Sequence, residues 1–399
     1  MNIADRYNKP PQMRRILIIQ LGDIGDVVWS LPALQAVREA YPGAEVAVLL
    51  REGNGSLLAA GTLPPKIFEV RKGAGESLRL IRALRRERFE LVFDFRGDER
   101  GGYMAFLTGA PIRAALYLAM LPGLRNRLFT HLVAPTALPM AVGAADSSLC
   151  ILQAFGIEAL NAVPRLDLSD ETKRRAEKIL AEEGIAAVSE STAAGDPEAC
   201  PADAQEMVRG TNSGSCPVCG GESLRILLTG ENVGKACPWV TLNPFSRWSY
   251  KEWAPEKWVR IIDWLGEAFG MVVVVVGSPA ERERADELGR SCAGKVYNLT
   301  GRTTLAELAG ILHLSRLHIG VDSAAPHIAA AVGTPTVTLY GPSDWRYWAP
   351  PGKRNRVVVP DMECVPCRQK GCDDRGVSRC LDTLTAERVQ AVLREALSA

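Results

Sequence analysis

The chain has no apolar run long enough to cross a bilayer. The longest, Met271 to Val276 with its neighbours, falls far short of the ~20 residues that a spanning helix needs. Its opening residues, MNIADRYNKPPQMRR, are polar and lack the apolar core of a signal peptide. A cytoplasmic protein is expected, in peripheral contact at most with the inner face of the membrane. An excess of either charge is also missing. Lys and Arg number 47 against 46 Asp and Glu, a formal net charge of +1, so nothing global favours nucleic acid as a partner. No repeat of solenoid period recurs. The dinucleotide-binding fingerprint is absent because no third glycine follows Gly22 and Gly25 at the required place, and no nicotinamide cofactor is expected.

What remains is a globular composition, 47% apolar and 23% charged over 399 residues, enough for two to three domains with substantial cores. Ten cysteines in a reducing compartment favour metal sites over disulfides wherever they cluster.

Strand and helix patterns alternate from the start. RILIIQL (15–21), the loop GDIGD, a periodic apolar segment over 27–41 and AEVAVLL (44–50) form a βαβ unit. Asp26 lies where the strand has ended and the helix begins, the place where open α/β sheets put ligand and catalytic groups. Helix capping would equally account for an Asp there, and the local sequence does not choose. LRLIRALRRERF (78–89) sets Leu80, Ile81 and Leu84 on one helical face and Arg79, Arg82, Arg85, Arg86 and Arg88 largely elsewhere. Such a helix reads first as a solvated face; the alternative is a landing surface for an anionic glycolipid or membrane. Residues 113–129 mix Arg113, Arg125 and Arg127 with bulky apolar side chains, to line an acceptor pocket or to complete the core.

A helix over 166–185, with Ser169 as its cap, leads into residues 186–236, which read as an inserted, partly disordered loop. Within and beside it, Cys216 and Cys219 with Cys200 and Cys237 offer four thiolates as a weaker alternative, a structural zinc. A second α/β set then begins at WVTL (239–242). MVVVVV (271–276) is predicted to be a buried central parallel strand, since neither face is polar. At its exit Gly277, Ser278 and Pro279 precede Glu281, whose carboxylate can accept both hydroxyls of a ribose or simply complement a helix dipole.

The densest signal is IGVDSAAPHIAAAVGTPTVTLYGPS (319–343): strand, polar turn, short helix, tight turn, strand. Asp322 and Ser323 can cap a helix that begins near Pro326, and together with His327 they line a turn whose free N–H groups suit a phosphate. Any capped crossover helix would read alike. After Pro360, Cys364, Cys367, Cys372 and Cys380 fall within 17 residues. A structural zinc or iron–sulfur clip is one reading, loop cysteines without a role the other. The expected division is 1–165, an N-terminal domain; 166–236, a linker helix and insertion; 237–382, a C-terminal domain with the cysteine cluster; and 383–399, a closing helix.

Through RILIIQLGDIGDVVWSLPAL, NPFSRWSYKEWAPEKW, VVVVVGSPAERE and the stretch from Asn298 to Asp344, the sequence resembles glycosyltransferase family 9, the lipopolysaccharide heptosyltransferases. The resemblance implies an α/β chain of GT-B fold, two Rossmann-like domains facing across a cleft, with acceptor bound by the first and nucleotide sugar by the second. It implies an inverting, metal-independent transfer from ADP-heptose to the inner core of lipopolysaccharide, an anionic glycolipid of the lipid A–Kdo type, with no cofactor required for catalysis. It makes Asp26 the general base, with Gly25 beside it in a substrate-binding loop. Ser246 and Lys251 become phosphate contacts, Glu281 a ribose contact, and Asp322, Ser323 and His327 parts of the donor-sugar and phosphate site. A carboxylate repels phosphate, so Asp322 is expected to meet heptose hydroxyls. Two other functions stay open, a GT-B transferase using another nucleotide sugar and a non-catalytic sugar-nucleotide-binding scaffold.

Overall fold

The computed structural model describes residues 12–118, 124–135, 143–185 and 239–398. The insertion read over 186–236 and its neighbour Cys237 lie outside the described residues. Two compact units emerge. One runs to Ser169 and takes in Arg346–Pro351; the other comprises Asp170–Trp345 and the chain from Gly352 onward.

In the first unit the apolar runs become six parallel strands, β1 (Arg15–Gln20), β2 (Glu45–Arg51), β3 (Lys66–Val70), β4 (Leu91–Asp94), β5 (Ile112–Leu116) and β6 (His131–Val133). Their order is β3-β2-β1-β4-β5-β6. β1 sits at the middle, with Ile16 opposite Val46 on one side and Leu91 on the other. It is buried from Ile16 onward, as a Leu/Ile run covered on both faces must be. The second unit repeats the plan with β7 (Trp239–Asn243), β8 (Val272–Val275), β9 (Val296–Asn298), β10 (His318–Val321), β11 (Thr336–Leu339) and β12 (Asn355–Val358), in the order β12-β11-β10-β7-β8-β9. Counted from its own first strand, each sheet has the doubly wound order 3-2-1-4-5-6. The connection therefore reverses between β1 and β4 in one sheet and between β7 and β10 in the other, and ligands of such sheets bind at the carboxyl ends of those strands.

The expected α/β class is present, and several details differ. The helix read over 27–41 is two helices, Ile24–Trp29 and Leu31–Ala40. Pro32 stands in the first turn of the second, where its missing N–H is harmless, and Ser30 Oγ donates back to the Val27 carbonyl at 2.7 Å. The valine run forms β8, an interior strand with Val273 to Val275 buried, next to the edge strand β9. Arg125, read as lining a pocket or completing the core, is buried; it donates to the Leu116 carbonyl and lies over the Phe129 ring. Arg113 donates to the Leu128 carbonyl. Both act as struts.

Helix Asp170–Glu182 packs on helix Leu305–Leu314 so closely that a Cβ on Gly310 would fall 2.7 Å from that of Ala176. Helix Ala74–Glu87 buries only Leu84 and leaves Arg79, Arg82, Arg85 and Arg86 exposed. The Arg346–Pro351 segment meets the first unit at Gly143, where a Cβ would stand 2.7 Å from the Tyr347 carbonyl oxygen and φ is +72°. Among the described residues no helix is long and apolar enough to cross a membrane.

Candidate functional site

In the first unit the candidate residues gather at the reversal between β1 and β4. The loop after β1 ends at Asp23, and Asp26 is the third residue of helix Ile24–Trp29, one place after Gly25. The Asp23 backbone N–H donates to Asp26 Oδ2 at 2.8 Å, so the carboxylate does tie down the helix start. It has a second partner from the other side of the reversal, because Arg96 Nη1 at the exit of β4 donates to the same oxygen at 3.1 Å. Burial pushes the Asp26 carboxyl above the ordinary carboxylate range, and the Arg96 guanidinium opposes that shift. With its side chain 20% exposed, the group is held yet reachable.

The surrounding loop is built for this placement. Gly22 can be nothing larger, because a Cβ there would lie 2.4 Å from Asp26 Oδ2. Gln20 accepts from the Gly22 N–H at 3.1 Å and donates to the Asp26 carbonyl at 3.3 Å. Asp94, fully buried at the end of β4, accepts from the backbone N–H groups of Arg96 and Gly97 at 3.1 and 3.0 Å, which shapes the turn that carries Arg96. Burial pushes its carboxyl up to about 7. The sequence reading assigned no role to Gln20, Asp94 or Arg96. A strand exit spelled Asp-Phe-Arg-Gly-Asp beside the central strand was the signal available.

In the second unit the residues gather at the reversal between β7 and β10. Lys251, in the short turn Ser249–Lys251, donates from Nζ to Asp322 Oδ2 at 2.6 Å. Asp322, expected to meet heptose hydroxyls, is a buried carboxylate paired here with the lysine assigned to phosphate. Ser246 Oγ donates to the Asp322 carbonyl at 3.3 Å. The helix expected near Pro326 begins at Ala324, with Ser323 at the N-cap position. Ser323 does not cap it; its hydroxyl donates instead to Asn243 Oδ1 at 3.2 Å, which leaves that end of the helix to other acceptors. Asn243, at the end of β7, is the residue missed here; it also donates to the Val276 carbonyl at 2.9 Å. His327 is buried on this helix, and burial pushes its imidazole down to about 4, so it is neutral at physiological pH.

Glu281 ends the turn Pro279–Glu281 after β8, where its Oε2 accepts from the Ser278 N–H at 2.6 Å. A Cβ on Gly277 would lie 2.5 Å from that oxygen, so this glycine has the same relation to Glu281 that Gly22 has to Asp26.

The four cysteines, read as a zinc or iron–sulfur clip or as loop cysteines without a role, lie in the loops and short helices that follow β12. Cys380 is buried and Cys364 exposed, with Cys367 and Cys372 between these extremes. Among the described residues no group of three or more His, Cys, Asp or Glu side chains is placed to hold a metal ion. Burial pushes the Cys380 thiol up to about 11, and the neighbouring Cys364, Cys372 and Cys367 push it the same way.

A family model described as glycosyltransferase family 9 (heptosyltransferase) matches residues 77–377. That span takes in Ser246, Lys251, Glu281, Asp322, Ser323 and His327, together with Arg96; it begins beyond Asp26 and ends before Cys380. The lipopolysaccharide heptosyltransferase 3 of Escherichia coli (strain K12) is 26% identical over 340 residues, covering 82% of this chain and 82% of its own length. Among solved structures, the glycosyl transferase family 9 protein from Veillonella parvula DSM 2008 superimposes with a TM-score of 0.71 at 18% identity, covering 97% of this chain and 98% of its own. The E. coli ADP-heptose lps heptosyltransferase II does so with a TM-score of 0.69 at 18% identity, covering 96% and 98%. At these identities the two structures bear on the fold, which is the GT-B architecture.

Proposed function

We propose that this chain, which belongs to glycosyltransferase family 9 and so is a glycosyltransferase, moves heptose from ADP-heptose to the inner core of lipopolysaccharide with inversion at the anomeric carbon. The relatives named above carry the sugar and the acceptor in their names. One observation carries the chemistry. Each sheet presents its polar groups at its own reversal, a partly exposed carboxylate in one and a lysine beside an uncapped helix start in the other.

In this scheme Asp26 accepts the proton of the acceptor hydroxyl as that oxygen bonds to the anomeric carbon. The bond from that carbon to the diphosphate breaks, and ADP leaves with the electron pair. Lys251, Ser246 and the N–H groups at the start of helix Ala324–Ala331 meet the charge that develops on the diphosphate. Asp322 holds the lysine in place beforehand, and the ammonium can donate to a phosphate oxygen as well as to the carboxylate. Glu281 receives the ribose hydroxyls. His327, neutral, can donate or accept toward a heptose hydroxyl. No catalytic cofactor enters the scheme.

Incubation of the purified chain with ADP-heptose and a lipid A–Kdo acceptor, with product read by mass spectrometry, is expected to add one heptose, and Asp26→Ala is expected to abolish it. Wild-type rates in Asp26→Ala would overturn the role of that residue. Product from a different nucleotide sugar, and none from ADP-heptose, would overturn the donor.

A further inference from the structure

Beside the candidate phosphate contacts of the second unit lies a cavity of about 500 Å³, within the roughly 300–1,000 Å³ range of ligand sites. The Trp248 and Tyr250 rings stack on one wall, their centroids 6.0 Å apart and their planes at 27°. Trp248 is 45% exposed and lines the cavity, so part of its ring is open to a ligand. Arg247 lies over the Trp248 ring at 5.6 Å. Arg284 makes a two-pronged contact with Glu252 and so neutralises the one carboxylate on that side. Lys370 and Asp374 come from the opposite wall and are both exposed.

The two walls are fastened together. Ser249 Oγ donates to the Gly376 carbonyl at 3.2 Å, and Ser378 Oγ to the Tyr250 carbonyl at 2.6 Å. The far wall is itself a closed loop, with the Gly376 N–H donating to the Lys370 carbonyl at 3.0 Å and the Cys372 N–H to the Val377 carbonyl at 2.6 Å. The cavity is therefore preformed, which spares a ligand the cost of ordering it.

We propose that this cavity is a subsite for an acidic sugar residue of the acceptor, a saccharide ring bearing a carboxylate or a phosphate. A flat, exposed aromatic face fits the C–H face of a pyranose. Arg247, Arg284 and Lys370 around it outnumber Glu252 and Asp374 by one, which leaves a net positive charge for an oxyanion. Ser246 lines the cavity and also donates to the Asp322 carbonyl, so the subsite adjoins the groups assigned to the donor diphosphate. This inference rests on the proposed transfer to an anionic glycan, and it can fail separately from that reading because its test is binding and not turnover.

The test is calorimetric titration of the intact protein with a lipid-free inner-core oligosaccharide, with the same oligosaccharide after carboxyl methyl-esterification or after phosphatase treatment, and with ADP. Trp248→Ala and Lys370→Ala are each expected to weaken oligosaccharide binding about tenfold and to leave ADP affinity unchanged within about twofold. Both side chains are exposed, and far-ultraviolet dichroism checks that each variant is folded. Whichever treatment removes the affinity identifies the oxyanion. The proposal is overturned if wild type does not bind the oligosaccharide, if both variants bind it like wild type, if both treated forms bind like the untreated one, or if ADP affinity falls as far as oligosaccharide affinity. Weakened binding in the variants, with no product from ADP-heptose in wild type, would sink the heptosyl-transfer reading and leave the subsite standing.

Discussion

Arg96 donates to the Asp26 oxygen that also receives the Asp23 N–H, so one carboxylate joins the two loops on either side of the first sheet's reversal. Burial and Arg96 act on its proton affinity in opposite directions, and burial prevails. A base works only when ionised, so kcat/KM should fall as pH drops through the Asp26 pKa. Removing the opposing cation in Arg96→Gln should raise that pKa by about one unit and move the acid limb of the profile to higher pH. A pH profile of kcat/KM for acceptor measures this, and an unmoved acid limb would show that Arg96 does not set the charge of Asp26. Asp26→Asn should lose about 10²- to 10⁴-fold in kcat.

Gly22→Ala tests placement with the carboxylate still present. The added methyl would stand 2.4 Å from Asp26 Oδ2, so the carboxylate must move. Displacement of a catalytic group by about 1 Å can cost on the order of 100-fold in rate. The expected result is a loss of that order in kcat with donor KM close to wild type, and a lowered thermal midpoint because the Asp26 Cβ, 2.6 Å away, must shift as well; an unchanged kcat would contradict it.

Asp94 predicts a pH dependence of stability. Its folded pKa, about 7, lies above its value in an unfolded chain, so between roughly pH 4 and 7 the folded state keeps a proton that the unfolded state has released. Stability from this group therefore declines as pH rises through that window, and levels off above it. Asp94→Asn removes the dependence, and its slope should be less negative than that of wild type by up to ~1.4 kcal/mol per pH unit. Urea unfolding at pH 4.5, 5.5, 6.5 and 8 measures the difference, and parallel curves would refute the assignment.

Lys251 and Asp322 form a pair in which the carboxylate is buried and the ammonium partly exposed. Lys251→Met strands the carboxylate and should destabilise the second unit by ~1–3 kcal/mol, less than a fully buried pair because solvent still reaches the lysine. Adding Asp322→Asn should restore part of that loss. A double-mutant cycle on unfolding midpoints reads the coupling. Donor KM should stay elevated in the double variant, since the phosphate contact is not recovered; recovery of donor KM would remove Lys251 from the phosphate site.

The exposed arginines of helix Ala74–Glu87 provide the fifth test. Reversing Arg79, Arg82 and Arg86 to Glu should weaken sedimentation with anionic vesicles by ~1 kcal/mol per side chain and raise the apparent KM for a vesicle-borne acceptor, with donor KM constant. Equal changes in both KM values would mean that the helix is only a solvated face.

Much of the fold was legible because parallel strands buried on both faces must be nearly continuous apolar runs, and RILIIQL, AEVAVLL and MVVVVV are such runs. The break at Ser30 was hidden because the apolar period continues across it; only Pro32 marked the second start. Asp26, Lys251, Glu281 and Asp322 stood out at strand exits. Their pairing did not, since the Arg96–Asp26 contact spans 70 residues and the Lys251–Asp322 contact 71, and strand order decides which exits meet. The cysteine cluster was legible as spacing in the chain, and the fold does keep Cys364, Cys367 and Cys372 near Cys380, though among the described residues no group of three or more ligands is placed to hold a metal ion.

The six residues Arg346–Pro351 leave the second body, serve the first, and return before β12. No single cut can therefore release either half whole. A chimera that exchanges the second body between relatives needs three junctions, after Ser169, Trp345 and Pro351, and should keep Tyr347 with the Gly143 it was shaped against. Recombination at one crossover would separate that strap from its seat, so inheritance of donor specificity should track paired breakpoints on either side of it.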